Sequence, residues 1–267
     1  MYDLTWILKD NCVKKTIVAS IGIAAVMGSL AFGENTEGSF SAAQEAAIQK
    51  IIRSYLVSNP EVLVEASKAL QQKQLDAMQS NAMKGIMDKK VELFATKDDP
   101  IAGNADGSIT IVEFFDYQCP HCIEMMPIIN ALIRTNANVR IVFKEFPIFG
   151  NVSNFASRAA LAANLQGKYF AFYDALMNAK TRLTEDSILQ LAKNTGIDID
   201  KLQKDMEGDA ITKMLDNNRE LAKALQLIGT PAFVIGPTNT TKITNANTSF
   251  VAGQTTEEVL QNAINKV

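Results

Sequence analysis

VEFFDYQCPHC, residues 112–122, sets Cys119 and Cys122 two residues apart, directly behind an apolar, aromatic-rich run. The stretch Ser108–Tyr117 has the β-branched and aromatic content of a buried strand, and the residues from Cys119 to about Arg134 read as a short helix. Cys119 therefore falls at a helix start, where unpaired N–H groups and a partial positive charge favour negative charge on its sulfur. Pro120 sits where a missing N–H costs nothing, and His121 can add a donor or a positive charge. This is the placement that thiol–disulfide chemistry needs. Zinc would need ligands beyond Cys119, His121 and Cys122, and the chain has one histidine and only one further cysteine, Cys12. An inert bridge across so short a loop gains little entropy. Haem attachment would require histidine right after Cys122, where Ile123 stands.

Working outward, Asn138–Pro147 (NVRIVFKEFP) alternates and reads as a second strand, and residues from about 154 to 227 are helical. A strand at Ala232–Gly236, a polar turn, a strand at Ser249–Ala252 and a helix from Thr255 close the chain. The order β, α, β, helical insert, β, β, α predicts an α/β chain with a thioredoxin-like core over 108–267, interrupted by a helical domain at about 150–227. Upstream, 96–107 (TKDDPIAGNADG) has the Asp, Gly and Pro content of a linker. Residues 34–95 read as a helical extension. Ser41 and Gln44 form a capping box, and Ile48, Ile51, Ile52 and Tyr55 make an apolar stripe. Asn59-Pro60-Glu61 restarts the helix, and from there to Ala95 no turn signal is stronger than Gly85. Val62, Leu63, Ala66 and Leu70 continue the apolar face. A helix from Pro60 to Ala95 would run about 54 Å, and one that long needs burial against a partner to persist. Self-pairing in a two-fold homodimer is the expected solution.

The full chain is 267 residues, 47% hydrophobic and 21% charged, the profile of a globular protein with a core. A net charge of −3 argues against nucleic-acid binding. Lys9, Lys14 and Lys15 precede the uncharged run Thr16–Phe32, which exits through small residues. Residues 1–33 thus read as a signal peptide, with a retained membrane anchor as the other reading. Removing them leaves 23 basic against 27 acidic groups and takes away Cys12. The exported chain then carries only Cys119 and Cys122, in a compartment where disulfides persist.

With those residues in place, the segment 112–122 resembles the active-site segment of the DsbA family of periplasmic disulfide oxidoreductases, and IGTPAFVIG (228–236) resembles that family's loop with a cis-proline facing the active site. The resemblance covers about 100–267. With its helical extension the chain looks like the extended Com1-like members from intracellular bacteria. The resemblance implies Cys119 as nucleophile and Cys122 as resolving thiol, flanked by Pro120 and His121. It implies Glu113 and Lys144 as buried charges beneath them, acting as a structural ion pair, in proton handling at Cys122, or both. It implies a substrate-binding loop at Thr230 and cis-Pro231, with the threonine an isomerase-type choice. It further implies no cofactor and no metal, unfolded or reduced secreted proteins as substrates, a membrane redox partner, a periplasmic location and a homodimer. The competing reading is a dimeric chaperone-like or surface interaction protein with incidental thiols.

Overall fold

The computed structural model describes residues 40–95 and 97–267, so the signal-peptide reading of 1–33 lies outside the described residues. The chain divides into two compact units, with the boundary between Pro60 and Glu61. The first unit holds helix α1 (Ala42–Ser58), and its cap is the one read from the sequence. The Gln44 amide donates to the Ser41 hydroxyl, and the Ser41 amide donates to the Gln44 side chain at 2.9 Å. No residue of α1 is buried; Ile51, Ile52 and Tyr55 stand more than half exposed.

The second unit contains α2 (Glu61–Asp88), α3 (Lys90–Phe94), β1 (Ile101–Gly103), β2 (Ile109–Phe115), α4 (Pro120–Thr135) and β3 (Val139–Glu145). The helical insert comes next, as α5 (Asn151–Asn164), α6 (Tyr169–Met177), α7 (Glu185–Asn194), α8 (Ile199–Met206) and α9 (Asp209–Ala224). The chain ends with β4 (Ala232–Pro237), β5 (Ser249–Ala252) and α10 (Glu257–Asn265). The strands form one sheet in the order β1-β3-β2-β4-β5; β2 and β3 run parallel and every other neighbouring pair is antiparallel. That is the expected thioredoxin-like core with a helical insert. Among the described residues, no helix is long and apolar enough to cross a membrane.

Burial on both faces explains why β2 and β4 read as continuous apolar runs. One face carries Ile111, Phe115, Ile141 and Phe143 against α4 and the insert helices. The other carries Val112, Phe114, Val142 and Val234 against Ala82 and Ile86 of α2, Leu93 and Phe94 of α3, and Leu221 of α9.

Two sequence-based boundaries are corrected here. The helical extension was expected to end at Ala95 outside the catalytic domain, yet Ala82, Ile86, Leu93 and Phe94 are fully buried in that second core. Its physical cause is the apolar underside of the sheet, which needs a cover. Gly85 takes part in the same contact. A Cβ there would come within 2.3 Å of the Ala224 carbonyl oxygen, so this glycine permits close approach of α2 to α9. The segment 96–107 is likewise more than a linker. Asp99 and Pro100 are buried, and Ile101–Gly103 adds an antiparallel edge strand to β3.

Candidate active site

Cys119 is the N-cap residue of α4, with extended backbone geometry, and Pro120 occupies the first turn. No acidic residue stands in that first turn to oppose negative charge at the helix start. The Cys119 carbonyl accepts from the amides of Cys122 and Ile123, both at 3.1 Å, so the turn is locked into the helix. Cys119 is 2% exposed and Cys122 fully buried; both are free thiols. The Cys119 Sγ donates to the Thr230 carbonyl at 3.3 Å, and the Thr230–Pro231 peptide is cis. His121 is exposed, with Nδ1 at 2.7 Å from the Gln254 side-chain oxygen and 3.4 Å from Glu124. The structure thus brings Cys119, Pro120, His121, Cys122, Thr230 and Pro231 together.

It separates the remaining two. Glu113 is in register with Phe143, and Lys144 with Phe114. Side chains alternate along a strand, so Glu113 and Lys144 point to opposite faces of the sheet. Lys144 pairs with Asp99 and donates to the Glu92 carbonyl at 3.0 Å, beside a cavity of about 260 Å³. The expectation of a Glu113–Lys144 couple beneath the cysteines is therefore corrected by the pleat. Glu113 lies on the face of Cys122. Both its oxygens are buried without a hydrogen-bond partner, and burial, then the nearby Glu145, pushes its carboxyl up to about 8. Burial also pushes the Cys122 thiol well above the usual range, and the Glu113 charge adds to that.

Sequence reasoning missed two acidic residues here. Asp116 accepts from the Gln118 amide at 2.7 Å, the Ser153 hydroxyl at 2.7 Å, and the amides of Ile148 and Phe149 at 2.7 and 3.0 Å. It ties the cysteine turn to the loop after β3 and to α5. Glu145 is fully buried and accepts from the hydroxyls of Tyr117 and Tyr169, both at 2.7 Å. Burial pushes it up to about 8 despite those two donors. Its position two residues after Phe143, on a strand of period two, was the signal that could have placed it. Two hollows lie near the cysteine turn and the Thr230–Pro231 loop, the first of mixed lining that includes Gln118 and Arg182, the second mainly apolar. One of about 340 Å³ is lined by Tyr117, Ile123, Phe149 and Leu183, and one of about 270 Å³ by Met78, Ile228, Pro231 and Phe250. Ile228 is 90% exposed. Among the described residues, no cluster of three or more His, Cys, Asp or Glu side chains could hold a metal ion.

Comparison with known proteins places these features in a family. A model of the DSBA-like thioredoxin domain matches residues 110–265, and one of the copper resistance protein ScsC N-terminal domain matches 44–77. BcfH of Salmonella enterica Typhimurium is 31% identical, with a TM-score of 0.69 over 84% of this chain and 96% of that one. The thiol-disulfide exchange protein α-DsbA2 of Wolbachia pipientis is 31% identical, with a TM-score of 0.62 over 71% and 97%. A probable disulfide bond formation protein D of Bacillus cereus is 26% identical over 55% of this chain and 74% of its own length. The chain also matches Na⁺/H⁺ antiporters of two Salinispora species, of whose length it spans only 29% and 24%.

Proposed function

The chain belongs to the DSBA-like thioredoxin-domain family, and from that premise we propose that it is a protein-disulfide oxidoreductase that introduces disulfides into secreted proteins and also isomerises them. The observation that carries this reading is Cys119 at the start of α4, its sulfur against the Thr230 carbonyl and Cys122 buried behind it. In the disulfide form, a substrate thiolate attacks the Cys119 sulfur. The new Cys119–substrate bond forms as the Cys119–Cys122 bond breaks, and Cys122 leaves with the electron pair. A second substrate thiolate then attacks its own sulfur in that mixed bridge and releases Cys119. The substrate is oxidised by two electrons and the enzyme left as the dithiol. A membrane redox partner returns it to the disulfide. Backbone groups around Thr230 and Pro231 align an extended substrate segment by added-strand pairing, and the hollows nearby, one mixed and one mainly apolar, accept its side chains.

A periplasmic location and export by residues 1–33 complete the reading. Ile51, Ile52 and Tyr55 of α1 and Leu63, Val64 and Leu70 of α2 are more than half exposed, which favours a homodimer built on this helical region. Such a pair of sites, together with Thr230, supports the isomerase part. The deciding experiment is trapping. Cys122→Ala accumulates mixed disulfides with exported proteins at Cys119, and Cys119→Ala does not. Equal trapping by both variants, or by neither, would sink the assignment and leave the helical region as the working part of an interaction protein.

A further inference from the structure

His121 is the chain's single histidine, so one ring accounts for all imidazole chemistry at the cysteine turn. It stands in the first turn of α4, two residues after Cys119, which caps that helix. The polar contacts of the ring converge on one nitrogen. Nδ1 lies 2.7 Å from the Gln254 side-chain oxygen and 3.4 Å from the Glu124 carboxylate. A carboxylate only accepts, so the hydrogen between Nδ1 and Glu124 belongs to Nδ1. The same hydrogen fixes how the Gln254 amide is turned, with its oxygen towards the ring. The neutral ring then carries its hydrogen on Nδ1 and leaves Nε2 bare.

Gln254 is exposed, yet the backbone on either side of it is fixed. The Gly253 amide donates to the Pro231 carbonyl at 2.8 Å, and the Thr255 amide to the Met125 sulfur at 3.4 Å. One anchor is the cis-proline loop and the other is α4 itself. Gly253 has a φ of +81°, in the left-handed region, which lets the chain leave β5 between the two. Glu124 is three residues on in the same helix, so it adds charge without tying the ring to anything else. Among the described residues it is the one charged side chain paired with the ring. Gln254 alone joins the ring to the loop that carries Pro231.

We propose that Gln254 is a positioning residue for the exchange chemistry, holding the hydrogen on Nδ1 of His121 so that Nε2 takes the proton of the Cys119 thiol. This rests on the exchange reading above. The Cys119 S–H bond breaks, its electron pair stays on sulfur, and the new N–H bond leaves an imidazolium beside a thiolate. When that thiolate attacks a disulfide, its electron pair enters the new S–S bond and the Nε2 proton goes to the sulfur released. A third group that orients the base is the usual support of a thiol–imidazole pair.

The first test reads the ring-nitrogen NMR shifts of the sole histidine in isotope-labelled protein, with the ring neutral. The wild-type protein is expected to show the Nδ1–H form, and Gln254→Leu to move towards the Nε2–H form that an untethered histidine prefers. Gln254→Glu keeps an oxygen acceptor and is expected to keep the wild-type form. The second test is the equilibrium of the cysteine pair with glutathione. Loss of one exposed hydrogen bond in Gln254→Leu is expected to shift it about two- to tenfold towards the disulfide, because the reduced thiolate loses support. In a His121→Ala background the same substitution is expected to shift nothing, since Gln254 acts through the ring. An Nε2–H ring in the wild-type protein, or a shift that persists without His121, would overturn the proposal. A wild-type pair that never exchanges with glutathione overturns the exchange reading and the proposal together, whereas an unmoved tautomer in Gln254→Leu, in a protein that exchanges, overturns the proposal alone.

Discussion

Lys144 and Glu145 are neighbours in the chain, but the pleat of β3 sends them to opposite faces of the sheet, and the two faces treat buried charge differently. On one, Lys144 meets Asp99 and the Glu92 carbonyl. Burial pushes the Asp99 carboxyl up and the Lys144 ammonium down, and their mutual attraction works against both shifts. That charge is matched and holds α3 and the segment before β1 against the sheet. On the other face, Glu113 has neither donor nor cation and shares its pocket with a second carboxyl. A matched buried pair does structural work; an unmatched titratable group beside a reacting sulfur is where proton transfer is expected.

The largest effect that sharpens this contrast is kinetic. Glu113→Gln is expected to slow Cys122 turnover by about 10²–10⁴-fold, the ordinary contribution of a positioned acid or base, in a stopped-flow exchange assay. A folded variant with wild-type rates would remove the chemical half of the comparison. Next is Asp99→Asn, which removes the carboxylate paired with buried Lys144 and is expected to cost about 3–5 kcal/mol in urea melts. Exchange per folded molecule should stay intact. Loss of exchange without loss of stability would reverse the two faces.

The last effect is a pH slope. Glu113 and Glu145 are raised to about 8 from 4.5, so the folded chain binds these protons more tightly than the unfolded one. Stability from such groups is fully present below about 4.5 and lost as pH rises through about 8. Relative to a Glu113→Gln, Glu145→Gln variant, wild-type stability is therefore expected to fall between about pH 5 and about pH 9. Parallel stability curves would mean the pair does not titrate in that range.

The cysteine turn was legible because its chemistry is local. Strand, N-cap, proline and spacing all lie within 112–122, and each constrains the next. Ser41 with Gln44 was legible for the same reason. What failed were statements about what faces what. Glu113 and Lys144 are 31 positions apart in sequence, and only the β2–β3 register says that they diverge. A three-residue strand such as Ile101–Gly103 carries no period to read, so the pairing with β3 was invisible in a segment dense with Asp and Gly. Gly85 carried no legible role, since close approach to Ala224 involves a helix more than 120 residues later.

By itself, then, the sequence determined the order of strands and helices, the position of Cys119 at a helix start, and the burial of both sheet faces, because dihedral preference, capping and hydrophobic periodicity act over a few residues. Only the tertiary structure decided that α3 and the end of α2 belong to the catalytic body, that Lys144 answers Asp99, and that Glu145 stands beside Glu113. Those outcomes depend on register and on which apolar surface needed covering. A shift of one residue in a strand turns every side chain to the other face, and no local rule along the chain carries that information.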